Sequence, residues 1–166
     1  MRRYARVILG GACKNDLLSG LEPGSGPTVS DADLKTLIQA NPNWVYYKRS
    51  TTPITRSSVP HPEQQALVRF NPQASTQLDA SGKVKTAASF PDSSVIVKEL
   101  STNGVLGTYA VMMKLRNSAS AGFGGWIWAE YERDGRVRYS TSGRGAACSS
   151  CHSPGIDYTR MNDSHP

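Results

Sequence analysis

Near the end of the chain, the segment CSSCH has two cysteines and a histidine at the spacing of a c-type heme attachment motif. Cys148 and Cys151 are separated by two serines, and His152 follows directly. The two thiols can add to the two vinyl groups of a heme, and a two-residue spacer matches the vinyl separation when the segment is roughly helical. The adjacent imidazole then reaches the iron as its axial ligand. The motif therefore predicts one covalent heme c, bound by Cys148, Cys151 and His152, with His152 as the metal ligand.

Paired cysteines also occur in redox dithiols and in zinc sites. A redox-active Cys-x-x-Cys pair usually lies in a βαβ unit, and the order of elements in this sequence does not suggest one. A zinc site needs four ligands, and no second Cys/His pair completes that set. Both uses fit the sequence less well than heme attachment.

The late position of the motif bears on the sixth coordination site of the iron. Small electron-transfer cytochromes c carry the motif near the N-terminus and use a methionine far downstream, whereas only 14 residues follow His152 here. Met161 is too close in sequence to reach the other heme face easily, and Met112 and Met113 lie in a strand-like segment where methionine usually packs in a core. We therefore expect an open sixth site. A methionine or His61 as sixth ligand remains the alternative.

A second residue with chemical potential is Lys98 in the segment SVIVKEL. Strand alternation places Ile96, Lys98 and Leu100 on one face, so the lysine lies between two large apolar residues. It could extend its ammonium group to water from a sheet edge. It could instead point into a cofactor pocket, where burial would favour the neutral, nucleophilic amine.

The remaining pattern indicates which elements position these residues. Ser30 and Asp33 predict the start of a helix over 31–40, and Asn71-Pro72 predicts a second helix that ends at about Asp79. Sequential strands joined by short turns predict an antiparallel sheet. We expect strands at 44–49, 65–70, 94–100, 108–115, 125–132 and 136–140. The predicted fold class is α+β, a predominantly antiparallel β-sheet with peripheral helices and a heme near the C-terminal motif.

Four segments, in this order, carry a resemblance to a known family: FPDSSVIVKEL, GTYAVMMKLRN, GGWIWAEYERDG and CSSCHSPGIDYTR. Together they resemble the cytochrome P-460 family, which includes the β-sheet cytochromes c′ (cytochrome c′-β). The resemblance extends over residues 61–162. It implies a predominantly antiparallel β fold, a homodimer, and a five-coordinate heme c with His152 as proximal ligand.

The resemblance also implies a role for Lys98. In the hydroxylamine-oxidising members, the lysine that Lys98 matches is bonded covalently to a heme meso carbon, which makes Lys98 a candidate catalytic and heme-binding residue. The c′-β members lack this cross-link and bind nitric oxide in an apolar distal pocket. The oxidising members carry a distal carboxylate on the following strand, where the alignment places Ala110, and no Asp or Glu lies between Thr102 and Ala129.

These observations predict a mono-heme c-type cytochrome that oxidises hydroxylamine or a related small nitrogen compound and passes electrons to a redox partner protein. Lys98 favours this enzymatic function. Ala110 favours the alternative of a non-catalytic protein that binds nitric oxide or another gas ligand. A simple electron-transfer cytochrome is the third possibility.

Composition limits the remaining functions. A chain of 166 residues with 38% hydrophobic and 19% charged residues fits one globular domain. Its net charge of +6 comes from scattered Lys and Arg without a basic stripe, which argues against nucleic-acid binding. No apolar run approaches the roughly 18 residues of a transmembrane helix.

The N-terminal sequence, together with the motif, bears on location. The stretch MRRYARVILGGAC resembles part of an export signal or a poor lipoprotein box that ends at Cys13, although an ordinary N-terminal segment is equally compatible. We expect residues 1–29 to be an export-signal remnant or tether, and residues 30–166 to be a single heme-binding domain. Thioether bonds to heme form outside the bacterial inner membrane, so the predicted location is periplasmic, with a lipid-anchored or secreted protein as variants.

Overall fold

The computed structural model describes residues 25–41, 43–56 and 61–161 of the chain. The expected export segment up to residue 24, including Cys13, lies outside the described residues. None of the helices within these ranges is long and apolar enough to cross a membrane.

A seven-stranded antiparallel sheet forms the centre of the protein. Its strands run in the order β1-β3-β4-β5-β6-β7, and β2 also pairs with β3. The strands are β1 (Val45–Tyr46), β2 (Ile54–Thr55), β3 (Gln65–Phe70), β4 (Val95–Thr102), β5 (Val105–Lys114), β6 (Trp126–Glu132) and β7 (Val137–Tyr139). The prediction of a mostly antiparallel α+β fold is confirmed.

The helices are few and lie outside the sheet. They are α1 (Asp31–Ala40), α2 (Pro72–Ser75) and α3 (Ser149–His152), with 3₁₀ turns at Tyr47–Arg49, Phe123–Gly125 and Thr141–Gly143. Helix α1 begins where the sequence predicts, because the Ser30 side chain accepts from the Asp33 N–H and the Asp33 carboxylate accepts from the Ser30 N–H. Its buried residues Leu34 and Ile38 attach it to the sheet.

Two local predictions are wrong in extent, and one strand is not predicted from the sequence. The strand expected at 44–49 ends at Tyr46, because Lys48 and Arg49 adopt positive φ angles of 52° and 53° and the chain turns. The helix expected to reach Asp79 ends at Ser75, since the chain turns there and brings Leu78 into a bridge with Val84. Strand β2 lies outside the strands that the sequence predicts, in a segment rich in proline that is typical of loop.

The two faces of the sheet have different partners. One face, which includes Val95, Val97 and Ile127, packs against α1. The other face carries Ile96, Met112 and Trp128, and it packs against the segments after β3 and the C-terminal segment. Because β4 is central and covered on both sides, its residues from Val95 to Lys98 are all buried.

Residues just before α1 are attached to the domain. The Gly26 N–H donates to the Asn117 carbonyl over 2.6 Å, and the Ser118 hydroxyl donates to the Pro27 carbonyl over 2.6 Å. The Val29 N–H donates to the Ser120 hydroxyl over 3.0 Å. The contacts of the domain therefore extend N-terminal to Ser30.

Candidate functional site

A pocket opens on the face of the sheet opposite α1, between strands β4 to β7 and the C-terminal segment. It contains about 990 Å³ of space free of protein atoms, counted out to its open mouth. Lys98, Cys148, Cys151 and His152 all line it. The fold thus brings the four site residues predicted from the sequence to one place, although Lys98 and the CSSCH segment are distant in the chain.

The CSSCH segment is helical, as the spacing of a heme attachment motif requires. Helix α3 spans Ser149–His152 and Cys148 is its N-cap residue. Residues three apart in a helix lie on the same side, so both sulfurs can face the pocket. Cys148 and Cys151 are free, half-buried thiols. Burial raises the pKa of Cys148 to about 11, which keeps this thiol protonated at neutral pH.

The imidazole of His152 is held in one orientation. Its Nδ1 lies 2.8 Å from the backbone oxygen of Tyr158. A carbonyl can only accept, so Nδ1–H is the donor, and this tautomer places the ring's lone pair on Nε2. Metal-binding histidines are oriented in the same way, by donating their other ring N–H to a carbonyl or carboxylate.

Trp128 packs against the imidazole from the sheet side. The two ring centroids are 4.8 Å apart and the rings meet edge to face at 80°. Gly145 lies directly against the indole, since a Cβ at this position would be 2.2 Å from Trp128 Cδ1. Gly145 also has a φ of +72°, which favours glycine. Trp128 and the Tyr158 carbonyl together fix the position of His152.

The residues that could hold the predicted heme c are therefore Cys148, Cys151 and His152, and the surrounding side chains fit such a group. The indole N–H of Trp128 is buried and has no hydrogen-bond partner among the described residues. Arg138 and Arg160 line the pocket and carry charge opposite to that of heme propionates. In the part of the chain that the structure describes, no group of three or more His, Cys, Asp or Glu side chains is arranged to bind a metal ion directly.

Lys98 is a buried lysine on a central strand. It lies on β4 between β3 and β5, opposite Val68 and Ala110, and is 9% exposed. Burial, with repulsion from Arg56 and Arg160, lowers the pKa of Lys98 to about 7. At neutral pH, Lys98 is therefore a neutral amine in a large fraction of the protein molecules. The alternative of an edge lysine that extends to water is wrong.

Glu130 is a pocket residue that the sequence did not single out as part of the site. The family resemblance places Ala110 at the position of the distal carboxylate, and no Asp or Glu lies between Thr102 and Ala129. In the structure, Glu130 on β6 pairs directly with Ala110 and lines the same pocket. Burial raises the pKa of Glu130 to about 7, against the opposing effect of Arg138. The pattern WIWAEYE carried a signal, since it places Glu130 on one face with Trp126 and Trp128.

Glu130 has two polar neighbours at the rim of the pocket. His61 Nε2 lies 3.6 Å from Glu130 Oε1, and Arg138 Nη1 lies 4.0 Å from Glu130 Oε2. Both distances are longer than a hydrogen bond allows, and among the described residues Glu130 Oε2 has no hydrogen-bond partner. Burial, with Arg56 and Lys98, lowers the pKa of His61 to about 4, so its imidazole is neutral at neutral pH.

A group of charged side chains surrounds His61 and Glu130. Arg56 Nη1 donates to the Glu63 carbonyl over 3.0 Å, and the Thr108 hydroxyl donates to Glu63 Oε1 over 2.6 Å. Arg138 Nε donates to Glu132 Oε1 over 2.9 Å and its Nη1 lies 3.7 Å from Glu63 Oε1. These contacts hold the segment of His61 and Glu63 against the sheet.

The four candidates for a sixth iron ligand are placed differently. Met112, Met161 and His61 line the pocket, whereas Met113 does not. Met112 is also part of the buried core of that face, as its strand-like sequence suggested.

Comparison with known proteins gives no family assignment. The chain matches no protein-family model and no curated protein.

Proposed function

We propose that this chain is a mono-heme c-type cytochrome, similar to the cytochrome P-460 family, that oxidises hydroxylamine or a related small nitrogen compound. One observation carries the proposal: a single pocket is lined by Cys148, Cys151 and His152 together with buried Lys98 and Glu130. A structural cysteine pair would not need a buried lysine and a buried carboxylate beside it. Titratable groups with shifted pKa values in a pocket are typical of functional sites.

In this proposal Cys148 and Cys151 would hold a heme through thioether bonds, and His152 would supply a ligand to its iron. When bound, the heme supplies a redox-active iron that can accept electrons from a nitrogen substrate. The Tyr158 carbonyl and the Trp128 ring orient His152, and Arg138 and Arg160 offer positive charge to the propionates.

Glu130 is the proposed proton acceptor. Oxidation of N–H and O–H bonds releases protons along with electrons, so a base beside the substrate accelerates the reaction. A carboxyl with a pKa of about 7 is partly ionised at neutral pH and can both take up and release a proton. The neutral imidazole of His61 lies beside it, and its side chain is 16% exposed, so it can carry the proton outward through a small movement or one water.

Lys98 is the proposed site of the cross-link that the family resemblance implies. A bond between Lys98 Nζ and a meso carbon of the heme would replace one N–H and one C–H bond. The two protons and two electrons released would require a two-electron oxidant of the peroxide class. The bond needs a neutral amine, which the lowered pKa of Lys98 supplies.

A second candidate function is binding of nitric oxide without turnover. The observation that favours it is the apolar lining beside Lys98, where Ile96, Ala110 and Met112 face the pocket. Such a lining suits a small uncharged gas ligand. A buried carboxylate is not needed for this function, and Glu130 therefore favours oxidation.

The proposal extends to location and partners. Thioether attachment of heme requires assembly outside the inner membrane, so we infer a periplasmic, lipid-anchored or secreted protein. A redox partner protein takes the electrons, and the homodimer implied by the resemblance is part of the proposal.

The test is turnover by purified holo-protein made in a bacterium that attaches c-type heme. Hydroxylamine and a one-electron acceptor are mixed with the protein, and reduction of the acceptor is followed. We expect steady turnover, slowed about a hundredfold in Glu130→Gln and unchanged in Glu99→Gln, whose side chain lies on the α1 face. Tight nitric oxide binding without acceptor reduction would establish the second candidate function instead.

A further inference from the structure

The segment that follows His152 adopts a backbone conformation that needs outside support. Asp157 and Tyr158 have φ angles of +46° and +63°, a region that residues other than glycine adopt rarely. The carbonyl of Tyr158 is the acceptor for His152 Nδ1. The contacts that fix these two residues therefore also fix the orientation of the imidazole.

Three polar contacts hold Asp157 in place. Lys114 Nζ lies 2.6 Å from Asp157 Oδ1, and the Phe90 N–H donates to Asp157 Oδ2 over 2.8 Å. The indole N–H of Trp126 donates to the Asp157 carbonyl over 2.8 Å. The Tyr158 ring packs directly against Gly124, where a Cβ would lie 2.6 Å from Tyr158 Cδ2.

The contact with Asp157 accounts for the buried position of Lys114. It is the last residue of β5, is 2% exposed, and its ammonium group also lies 4.8 Å from the centre of the Trp126 ring. A buried lysine is costly unless it is paired, and Asp157 is the carboxylate that pairs with it. The pair connects the end of a sheet strand to the residue before Tyr158.

We propose that Lys114 and Asp157 are positioning residues that hold the Tyr158 carbonyl against His152 and thereby set the strength with which His152 binds the heme iron. The inference rests on the proposed heme attachment. A firm Nδ1–H···O=C bond makes the imidazole a stronger donor, which stabilises the ferric form. A displaced carbonyl weakens that donation, so the midpoint potential rises and the iron–imidazole stretching frequency falls.

The test compares holo-protein variants by redox titration and by resonance Raman spectroscopy. Asp157→Asn removes the charge but keeps a residue that tolerates positive φ, and Lys114→Met removes the buried cation while filling a similar volume. We expect both variants to have a more positive midpoint potential and a lower iron–imidazole stretching frequency than wild type. Unchanged values in the variants that fold would overturn the inference.

The matched control is Glu99→Gln. The pair of Arg69 and Glu99 has the same form, a buried cation 2.7 Å from a half-buried carboxylate, but it lies on the α1 face. Loss of this pair should lower stability without moving the potential or the stretching frequency. An equal shift in Glu99→Gln would mean that general loosening, and not His152, is responsible, and would also overturn the inference.

Covalent heme retention separates a failure of this inference from a failure of the proposed function. If Asp157→Asn does not fold because Lys114 is left unpaired, Lys114→Met decides alone, since it leaves no buried unpaired cation. If the wild-type chain retains no covalent heme, the proposed function fails and the inference fails with it. If heme is retained and the variants match wild type, only the inference fails.

Discussion

Lys98 and Glu130 lie on the same face of the sheet, each directly opposite Ala110 on the strand between them. Two inter-strand spacings separate their backbones, about 9.5 Å, and the small Ala110 side chain leaves the space between them open. Burial brings the pKa of each to about 7, from opposite directions. The pocket thus presents an amine and a carboxyl that both exchange protons near neutral pH.

The first prediction concerns Lys98. If its amine is bonded to the heme, the ferrous Soret band of the wild-type protein is strongly shifted to the red, and Lys98→Ala has the spectrum of an ordinary high-spin heme c. The physical reason is that a substituent at a meso carbon changes the conjugated ring itself. Optical spectra of dithionite-reduced protein measure this.

The control for Lys98 is Lys85→Ala, which removes an exposed lysine and should leave the spectrum unchanged. An ordinary high-spin spectrum in the wild type would refute the cross-link and leave nitric oxide binding as the better function. A low-spin ferrous spectrum would instead indicate a sixth protein ligand, with Met112, Met161 and His61 as the candidates that line the pocket.

The second prediction concerns the stability effect of Glu130. Its pKa of about 7 in the folded protein is above its usual 4.5, so between these pH values the folded state binds more protons than the unfolded state. The free energy of unfolding that Glu130 contributes therefore falls as pH rises from about 4.5 to about 7. The groups around it that also carry charge or titrate are His61, Lys98, Arg138, Arg56, Glu63, Glu132 and Cys148.

Glu130→Gln lacks this titration, so its stability relative to wild type should increase between pH 4 and pH 8, by on the order of 3 kcal/mol. Urea denaturation at several pH values measures the difference. Glu132→Gln is the control two residues along the same strand. A difference between Glu130→Gln and wild type that stays constant with pH would show that Glu130 has no raised pKa.

The third prediction concerns His61. His61→Gln keeps a polar side chain but cannot pass a proton, so hydroxylamine turnover should fall by about tenfold, less than for loss of a direct base. Added imidazole should restore much of the lost rate, because a small diffusing base can replace the side chain. Gln64→Ala, at an exposed neighbour, should neither slow turnover nor respond to imidazole. If imidazole has no effect on His61→Gln, the proposed relay is wrong.

Much of the fold could be predicted because its signals are local. Helix α1 has its capping box within four residues. Strands β4 and β5 are joined by the short turn at Asn103-Gly104, and β6 and β7 are joined by a turn over residues 133–136. The motif at 148–152 is likewise complete in itself. The strand expected at 44–49 fails because positive φ angles at Lys48 and Arg49 depend on contacts with the distant segment around Gly82.

The site beyond the motif depends on register and was only partly predictable. Alternation indicates which face Glu130 occupies, but only the pairing of β5 with β6 places it opposite Ala110. His61 approaches Glu130 across the sheet from a loop before β3, and the pairing of Lys114 with Asp157 joins residues 43 positions apart. No local pattern specifies such contacts.

The central claim, that Cys148 and Cys151 attach a heme, is tested most directly by the mass of the denatured chain. Wild-type protein made with the heme-attachment machinery should have the mass of the polypeptide plus one heme, because thioether bonds survive unfolding. The double variant Cys148→Ala, Cys151→Ala should show the polypeptide mass alone, whereas Cys13→Ala should keep the heme. A wild-type mass without heme, or covalent heme retained in the double variant, would contradict the account.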